Sequence, residues 1–125
     1  MIDVKELSIG NYVLYKDNKA EISGINLGHI FARTFYKEAK TQTSLENKSL
    51  SIEECYCIPI TEELLLECGF EKHQGGNDTV YYNPLLELDA HFRLKGVSYN
   101  VQVKSLHQLQ NIYFALTGEE LEVNL

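Results

Sequence analysis

The sequence has no apolar run long enough to cross a bilayer, and its N-terminus lacks a basic stretch followed by an apolar one. A membrane-spanning helix needs about 20 predominantly apolar residues, and a signal peptide needs that N-terminal pattern. The chain has only three cysteines, an odd number for a disulfide framework, which favours a reducing compartment. These absences predict a cytoplasmic protein that is not embedded in a membrane.

Motifs for catalysis and for phosphate binding are also absent. There is neither a glycine-rich loop that cradles phosphate nor a local pattern around a serine or cysteine nucleophile. The net charge is -7, and the imbalance is concentrated in residues 61–125, which contain four basic and ten acidic side chains. Because an acidic surface repels phosphate backbones, any polyanion site must be a local patch in the N-terminal half.

The clearest element that is present is a helix over residues 105–117. Ser105 and Gln108 form a capping box, in which the Ser105 hydroxyl accepts from the Gln108 amide and the Gln108 side chain reaches back to the Ser105 amide. Gly118 can take the left-handed conformation that ends a helix. Apolar residues at helical spacing predict one buried face, formed by Leu106, Leu109, Ile112, Tyr113 and Leu116.

A β-hairpin is predicted immediately before this helix. Apolar residues occupy the even positions of 86–94 and the odd positions of 97–103. Such alternation indicates strands with one buried and one solvated face. With Lys95-Gly96 as a two-residue loop, Leu94 would lie opposite Val97. We expect the C-terminal helix to cover the apolar face of this hairpin.

The N-terminal half predicts a small β structure. Short strands are expected over residues 12–15, 20–26 and 29–36, opened by a Leu-x-x-Gly-x-x-Val pattern, as in SH3-like barrels or curled meanders. Residues 37–49 are polar and have no clear period, which favours an exposed loop. Residues 50–60 are expected to return as a strand.

A short helix is predicted to link the two halves. Thr61 is placed to cap its start and Gly69 to end it. Phe70 should then pack on Leu65, as in a Schellman motif. Residues 71–78 contain two glycines and an asparagine, and we expect a loop or turn there.

Together these elements predict one α+β domain over residues 1–125. An SH3-like β-meander or barrel fills residues 1–60. Residues 61–125 form a second lobe, in which the linking helix is followed by an antiparallel hairpin covered by the C-terminal helix. With 44% hydrophobic residues, including eight tyrosines and five phenylalanines, the two lobes are expected to share one core.

Three stretches resemble one protein family. They are residues 7–13 (LSIGNYV), residues 58–70 (IPITEELLLECGF) and residues 107–121 (HQLQNIYFALTGEEL). Together they resemble a family of small uncharacterised proteins of Bacteroidota genomes and of their phages or prophages. The resemblance implies a cytoplasmic protein of a mobile element, and it transfers no functional residue to this chain.

Cys55, Cys57, Cys68 and His73 are the candidate metal ligands. Zinc sites usually space their cysteines by two to four residues, whereas Cys55 and Cys57 are separated by a single residue of a predicted strand. Thiols that are buried as small apolar groups are the preferred interpretation. The sequence therefore predicts no metal and no cofactor.

Asp89, His91 and Arg93 are the candidate catalytic group, because a carboxylate can orient a histidine as a base. They lie on the solvated side of a predicted strand, and no serine or cysteine nucleophile is paired with them in the sequence. We interpret them as solvated surface residues. The protein is accordingly expected not to be an enzyme.

One strand interleaves basic and aromatic residues on a single face, namely His29, Phe31, Arg33, Phe35 and Lys37. Rings that stack on bases and cations that meet phosphate suit a nucleotide or a single-stranded nucleic acid. The preferred interpretation instead places Phe31 and Phe35 in the barrel core, with the charges at its rim. An exposed Arg33 beside an open aromatic groove would favour ligand binding, and an Arg33 paired with a carboxylate would favour the core interpretation.

Phe114 departs from the predicted buried face of the C-terminal helix and lies on the side of His107, Gln110 and Asn111. An aromatic ring among amides suggests a second contact surface, which meets either the N-terminal lobe or another subunit. The leading hypothesis is a non-enzymatic interaction module, with an isologous homodimer as the simplest use of this face. The alternative is a nucleotide- or single-strand-binding protein that uses residues 29–37.

Overall fold

The computed structural model describes residues 2, 4–16, 18–26, 29–38, 42–76, 78–95 and 101–124. The fold is α+β with antiparallel sheets and a C-terminal helix, which confirms the predicted class. The chain divides into two compact units, Met1–Ile58 and Pro59–Leu125. The shared core stays a prediction. No helix in the described part of the chain is both long and apolar enough to span a bilayer.

The first unit contains five strands: β1 (Tyr12–Tyr15), β2 (Asn18–Asn26), β3 (His29–Glu38), β4 (Gln42–Ser51) and β5 (Cys55–Tyr56). They form one antiparallel sheet in the order β4-β3-β2-β1-β5, curled into a half-barrel. The three predicted strands are present as β1, β2 and β3, and the curled meander is confirmed. Its SH3-like identity stays a prediction.

The Leu-x-x-Gly-x-x-Val pattern forms the turn that leads into β1. Gly10 has a φ of 95°, in the region that favours glycine. Its amide donates to the Ile22 carbonyl at 2.8 Å, and the Ile22 amide donates to the Asn11 carbonyl at 2.8 Å. The Asn11 side chain in turn accepts from the Ser8 amide at 2.8 Å. The turn is thereby fixed to the middle of β2.

One face of the half-barrel carries the core of the first unit. Alternate residues of the strands point to this face, and a register shift between Ile22 and Gly24 interrupts the alternation in β2. The buried cluster consists of Ile2, Leu7, Val13, Tyr15, Ala20, Ile22, Ile30, Ala32 and Cys55.

The prediction of an exposed loop over residues 37–49 is wrong, because most of that segment belongs to β4. Its pairing with β3 runs from Ser51 opposite His29 to Gln42 opposite Glu38. Strands pair through their backbone groups, so an edge strand can form without an apolar face. The sequence of such a strand then shows no alternation of apolar residues. The strand predicted over 50–60 is correct only in part, because a 3₁₀ turn, Ile52–Glu54, separates β4 from β5.

The second unit contains α1 (Glu62–Glu67), β6 (Glu71–Gly75), β7 (Asp78–Tyr82), β8 (Glu87–Asp89) and α2 (Leu106–Thr117). Its strands form an antiparallel sheet in the order β6-β7-β8. Residues 71–78, predicted to be a loop or turn, do contain a turn at Gly76, whose φ is 62°, but most of the segment belongs to the strands of a hairpin. All five residues of β6 are exposed, so the segment shows no apolar alternation.

The start and the end of α1 are formed as predicted. Thr61 Oγ1 accepts a hydrogen bond from an amide of the first turn at 3.1 Å, and Gly69 has a φ of 86°. The Gly69 amide donates to the Leu66 carbonyl at 3.2 Å and the Phe70 amide to the Leu65 carbonyl at 3.0 Å. These are the two bonds of a Schellman motif. Leu65 and Phe70 are both buried.

The hairpin predicted over 86–103 has a different register and a shorter first strand. The chain leaves β8 through a turn in which Phe92 has a φ of 60°. The Leu94 amide then donates to the Val101 carbonyl at 2.9 Å, and the Val103 amide donates to the Phe92 carbonyl at 2.8 Å. Leu94 is thus bonded to Val101, which the predicted register places opposite Ala90. The predicted partner of Leu94, Val97, lies outside the described residues.

The helix predicted over 105–117 is confirmed as α2. Ser105 Oγ accepts from the Gln108 amide at 3.4 Å, and Gly118 closes the helix with a φ of 75°. The return bond of the capping box differs from the prediction, because Gln108 Oε1 accepts from the Lys104 amide at 2.8 Å. Packing of α2 on the hairpin stays a prediction.

The predicted buried face of α2 is correct over its first two turns only. Leu106 and Leu109 are fully buried and Tyr113 is 6% exposed. Ile112 is half-buried. Leu116, which the spacing placed on the same face, is 54% exposed. The helix therefore continues beyond the side chains that cover it, and spacing alone cannot show where that cover ends.

Candidate interaction surface

The last turn of α2 is the most exposed apolar part of the helix. Phe114 is 55% exposed and Leu116 is 54% exposed, and Ala115 between them is also exposed. Gln110 and Asn111 lie one turn before Phe114 and are half-buried. We call these five residues the α2 tip.

His107, predicted to belong to this surface, does not. It is 2% exposed, so its side chain is covered in the folded chain. The angular position of His107 matches that of Phe114, but it lies two turns earlier, in the covered half of α2. The predictions for Phe114, Gln110 and Asn111 agree with an accessible surface, and the contact that they make stays untested.

The α2 tip is held by hydrogen bonds to its neighbours. The Thr117 hydroxyl donates to the Tyr113 carbonyl at 2.7 Å and accepts from the Glu119 amide at 3.1 Å. The Tyr113 hydroxyl accepts from Asn83 Nδ2 at 3.1 Å. The exposed side chains therefore project from a helix end that is fixed by its own side chains and by a neighbouring loop.

That neighbouring loop carries a further exposed apolar side chain, Leu85, that sequence reasoning missed. Asn83 Oδ1 accepts from the Leu85 amide at 2.9 Å and from the Leu86 amide at 2.8 Å. This turn buries Leu86 and leaves Leu85 48% exposed. An asparagine followed by proline favours turn initiation, and that signal could have located the turn.

The charges that follow the α2 tip along the chain are all negative. After Lys104 the sequence contains Glu119, Glu120 and Glu122 and no further lysine or arginine. All three glutamates are exposed. Lys104 precedes Phe114 by ten residues, about 15 Å along a helix axis at 1.5 Å per residue. The C-terminal end of a helix is itself negative, because the peptide dipoles along the helix are aligned.

The basic-aromatic strand is present as β3, but Phe31 does not lie in the core. Phe31 is 43% exposed, whereas Ile30 and Ala32 on either side are fully buried. The core interpretation is therefore wrong for Phe31. Phe31 pairs with Gly24 of β2, and a Cβ built on Gly24 would lie 3.5 Å from Phe31 Cδ2. The ring thus rests on the outer face of the sheet beside a residue without a side chain.

The rest of this candidate site cannot be placed in the same way. For His29, Arg33, Phe35 and Lys37 the structure describes the strand and its pairing, but not the side chains. The distinction that depended on Arg33 therefore stays open. Phe31 is the member of this set whose surroundings are known, and its exposure agrees with a stacking platform.

Asp89, His91 and Arg93 form a structural turn. Asp89 Oδ1 accepts from the amides of His91 and Arg93 at 2.8 and 3.0 Å, and Asp89 Oδ2 accepts from Arg93 Nε at 2.8 Å. Partial burial acts to raise the pKa of Asp89, but these hydrogen bonds and the guanidinium charge outweigh it, so the pKa lies below its ordinary value. A carboxylate stabilised in this way is a weak base.

A second group of titratable side chains joins α1 to the sheet. Lys72 Nζ lies 2.7 Å from Glu62 Oε1, and Tyr81 also hydrogen-bonds Glu62. The hydrogen bond from Lys72 lowers the pKa of Glu62, and the same bond raises the pKa of Lys72. Both groups are thereby held in their charged forms, which favours an ion pair over proton transfer.

The cysteines provide two buried thiols and one exposed thiol. Cys55 and Cys68 are 0% and 3% exposed, whereas Cys57 is exposed. Burial, assisted by the neighbouring Glu54 and Glu67, raises the pKa of Cys55 and of Cys68 to about 11. This agrees with the interpretation of these two as small apolar groups. Among the described residues no three potential ligands converge on a common point. The prediction of no bound metal remains to be checked by elemental analysis.

Comparison of the chain with protein-family models, with curated proteins and with solved structures gave no match. The resemblance to proteins of Bacteroidota and their phages therefore stays a prediction. Within the described residues, the α2 tip is the strongest indication of function.

Proposed function

We propose that this protein is a non-enzymatic interaction module that binds a protein partner through the α2 tip. The observation that carries the proposal is the exposure of Phe114, 55%, on a helix end that hydrogen bonds hold in place. Aromatic side chains presented on a rigid element contribute much of the energy of many interfaces. Gln110 and Asn111 lie one helical turn before the ring and are half-buried. The occupant is either another protein or a second copy of this chain.

The aromatic ring of Phe114 gives the test. We expect Phe114→Ala to remove binding to the partner, whether another protein or a second copy. Leu66→Ala on α1 should leave that binding unchanged, because Leu66 is similarly exposed at 48% but lies outside the α2 tip. Light scattering at low and high salt measures self-association, and an apolar interface should respond little to salt. A protein that is monomeric throughout and binds nucleotides in a salt-sensitive way, with binding lost in Arg33→Ala, would contradict the proposal.

A second candidate function is supported by Phe31. Its exposed ring on the outer face of β3 offers a surface on which a base can stack, as a nucleotide- or single-strand-binding protein requires. This hypothesis predicts that Phe31→Ala weakens the binding of a labelled oligonucleotide and that Phe114→Ala does not. Binding should also fall steeply with added salt, because phosphate contacts release counterions. Fluorescence anisotropy of the two variants separates the candidates.

A further inference from the structure

We infer that the occupant of the α2 tip is a segment of another protein that combines an apolar anchor with lysine or arginine side chains. The inference rests on the proposed function and identifies the partner by its chemistry. Phe114 supplies the apolar contact, and the negative charge beyond it supplies the attraction for cations.

The negative charge lies close to Phe114 along the chain. The Gly118 amide donates to the Phe114 carbonyl at 2.9 Å, and the next residue, Glu119, has its amide fixed to Thr117 Oγ1 at 3.1 Å. The backbone of Glu119 is thus held at the end of the helix, and Glu120 and Glu122 follow it. A cation beside these residues would also meet the negative end of the helix dipole.

The second unit offers few cations of its own to neutralise this end. Residues 61–125 contain four basic side chains against ten acidic ones. Arg93 is bonded to Asp89 at 2.8 Å and Lys72 to Glu62 at 2.7 Å. Lys104 lies about 15 Å away at the other end of the helix, beyond the distance over which physiological salt leaves surface charges unscreened. The fourth basic residue, Lys95, lies beside β8, where its amide donates to the Glu87 carbonyl at 3.1 Å. We therefore take an external cation as the complementary group.

The same charges disfavour a second copy as the occupant. An isologous dimer brings the same patch of both subunits together at a two-fold axis. Two copies of the α2 tip would bring together two helix C-termini and six glutamates, three from each chain. Like charges across an interface suppress a pairing, and opposite charges favour it. A basic partner satisfies the apolar and the electrostatic requirement together.

The test uses three labelled peptides with the same leucine positions, in which the polar positions are all lysine, all glutamine or all glutamate. Fluorescence anisotropy measures their binding to the full chain. We expect the lysine peptide to bind at least about tenfold more tightly than the glutamine peptide at low salt, as charge complementarity allows. We expect Phe114→Ala to weaken the binding of the lysine peptide by about tenfold, as the loss of an aromatic anchor does.

The glutamates are tested with a matched pair. The double variant Glu119→Gln/Glu120→Gln should weaken the lysine peptide by roughly threefold or more, since both charges lie beside the helix end. Glu53→Gln/Glu54→Gln removes two exposed glutamates of the first unit and should change binding less than twofold, a limit set by screening. If both double variants lose the same amount of lysine-peptide binding and Phe114→Ala loses none, the peptide is attracted to the acidic protein as a whole. That result would overturn the inference.

Other outcomes separate the inference from the proposed function. Equal binding of the lysine and glutamine peptides, lost in Phe114→Ala, would overturn the basic partner and keep the α2 tip as an interface. A wild-type dimer that dissociates in Phe114→Ala would also overturn the basic partner and keep the α2 tip as an interface. Failure of every peptide to bind would overturn the inference, and the proposed function would then depend on the light-scattering result.

Discussion

The Asp89 carboxylate receives two hydrogen bonds from Arg93, one from its main-chain amide at 3.0 Å and one from its side-chain Nε at 2.8 Å. A third comes from the His91 amide at 2.8 Å. A single side chain thus fixes the turn after β8, where the alternation of apolar residues predicted a continuous strand. Asparagine and aspartate favour turns because they bond the backbone a few residues ahead.

Removing the Asp89 carboxylate should destabilise this turn. We expect Asp89→Ala to lower the free energy of unfolding by about 1–2 kcal/mol, as the loss of other side-chain acceptors of backbone amides does. Asp89→Asn keeps one acceptor oxygen, so its free energy of unfolding should fall by less. Glu87→Ala, at an exposed position of the same strand, is the control, with an expected change within about 0.5 kcal/mol. Urea unfolding at neutral pH measures all three, and equal stabilities for Asp89→Ala and Glu87→Ala would refute the role of the carboxylate.

The same carboxylate should make stability depend on pH. The pKa of Asp89 is lowered in the folded protein, so its contribution is present above the unfolded pKa, about 3.9. The contribution is lost as the pH falls through the folded pKa, because the native state must then take up a proton. Wild type should exceed Asp89→Asn in stability at pH 7, and the difference should shrink below about pH 4. A difference that stays constant down to pH 2 would show that the charge has no role.

The sequence allowed prediction of those elements whose signals are local. Thr61 and Gly69 bound α1, and Ser105 and Gly118 bound α2, because caps act through residues within one turn of the helix end. The first three strands were found for a similar reason, since turns at Gly10 and near Asn18 separate short apolar stretches. These features depend little on the rest of the fold.

The missed elements are those whose pairing is made by the backbone alone. β4 and β6 are polar edge strands, and neither has an apolar face that could reveal it. The turn at Phe92 was hidden for the opposite reason, because apolar alternation continues through it. In each case the decisive interaction is made by the backbone of a neighbouring strand or by a single side chain, and periodicity does not contain that information.

The candidate site shows the same division. Helical spacing separated Phe114 from the buried residues correctly, since its angular position follows from the sequence. Spacing could not show that cover ends before Leu116, nor that His107 lies under it. It also could not show that Phe31 is outside the core, because either face of β3 could have been the buried one. Exposure depends on what packs against an element, which only the folded structure shows.

The two ends of α2 should differ in their sensitivity to truncation. Leu109 is fully buried, so Leu109→Ala should lower the free energy of unfolding by about 2–5 kcal/mol. Leu116 is 54% exposed, so Leu116→Ala should change it by about 0.5 kcal/mol or less. Chemical denaturation of the two variants is a matched comparison, because both remove the same atoms from the same helix. A loss at Leu116 as large as that at Leu109 would mean that the α2 tip is covered.

Gly69 should resist replacement for conformational reasons alone. Its φ is 86°, and a Cβ at this position would meet nothing within 4 Å, so the cost of a side chain is that of the left-handed conformation. We expect Gly69→Ala to lower the free energy of unfolding by about 1–2 kcal/mol. Gly69→Asn should lose less, because asparagine tolerates this region better. Equal effects of alanine and asparagine would contradict the strain argument.

The three thiols should react at very different rates in the native protein. Burial raises the pKa of Cys55 and of Cys68 to about 11, so at pH 8 only about one thiol in a thousand is the reactive thiolate. Both sulfurs are also covered, whereas Cys57 is exposed. A thiol-specific chromogenic reagent should therefore label one cysteine rapidly in the folded chain and all three after denaturation.

The fast phase should disappear in Cys57→Ser, and Cys68→Ala should leave it unchanged. Rapid labelling of two or three thiols in the native chain would show that Cys55 or Cys68 is reached by solvent on the timescale of the reaction, and would contradict their role as core residues.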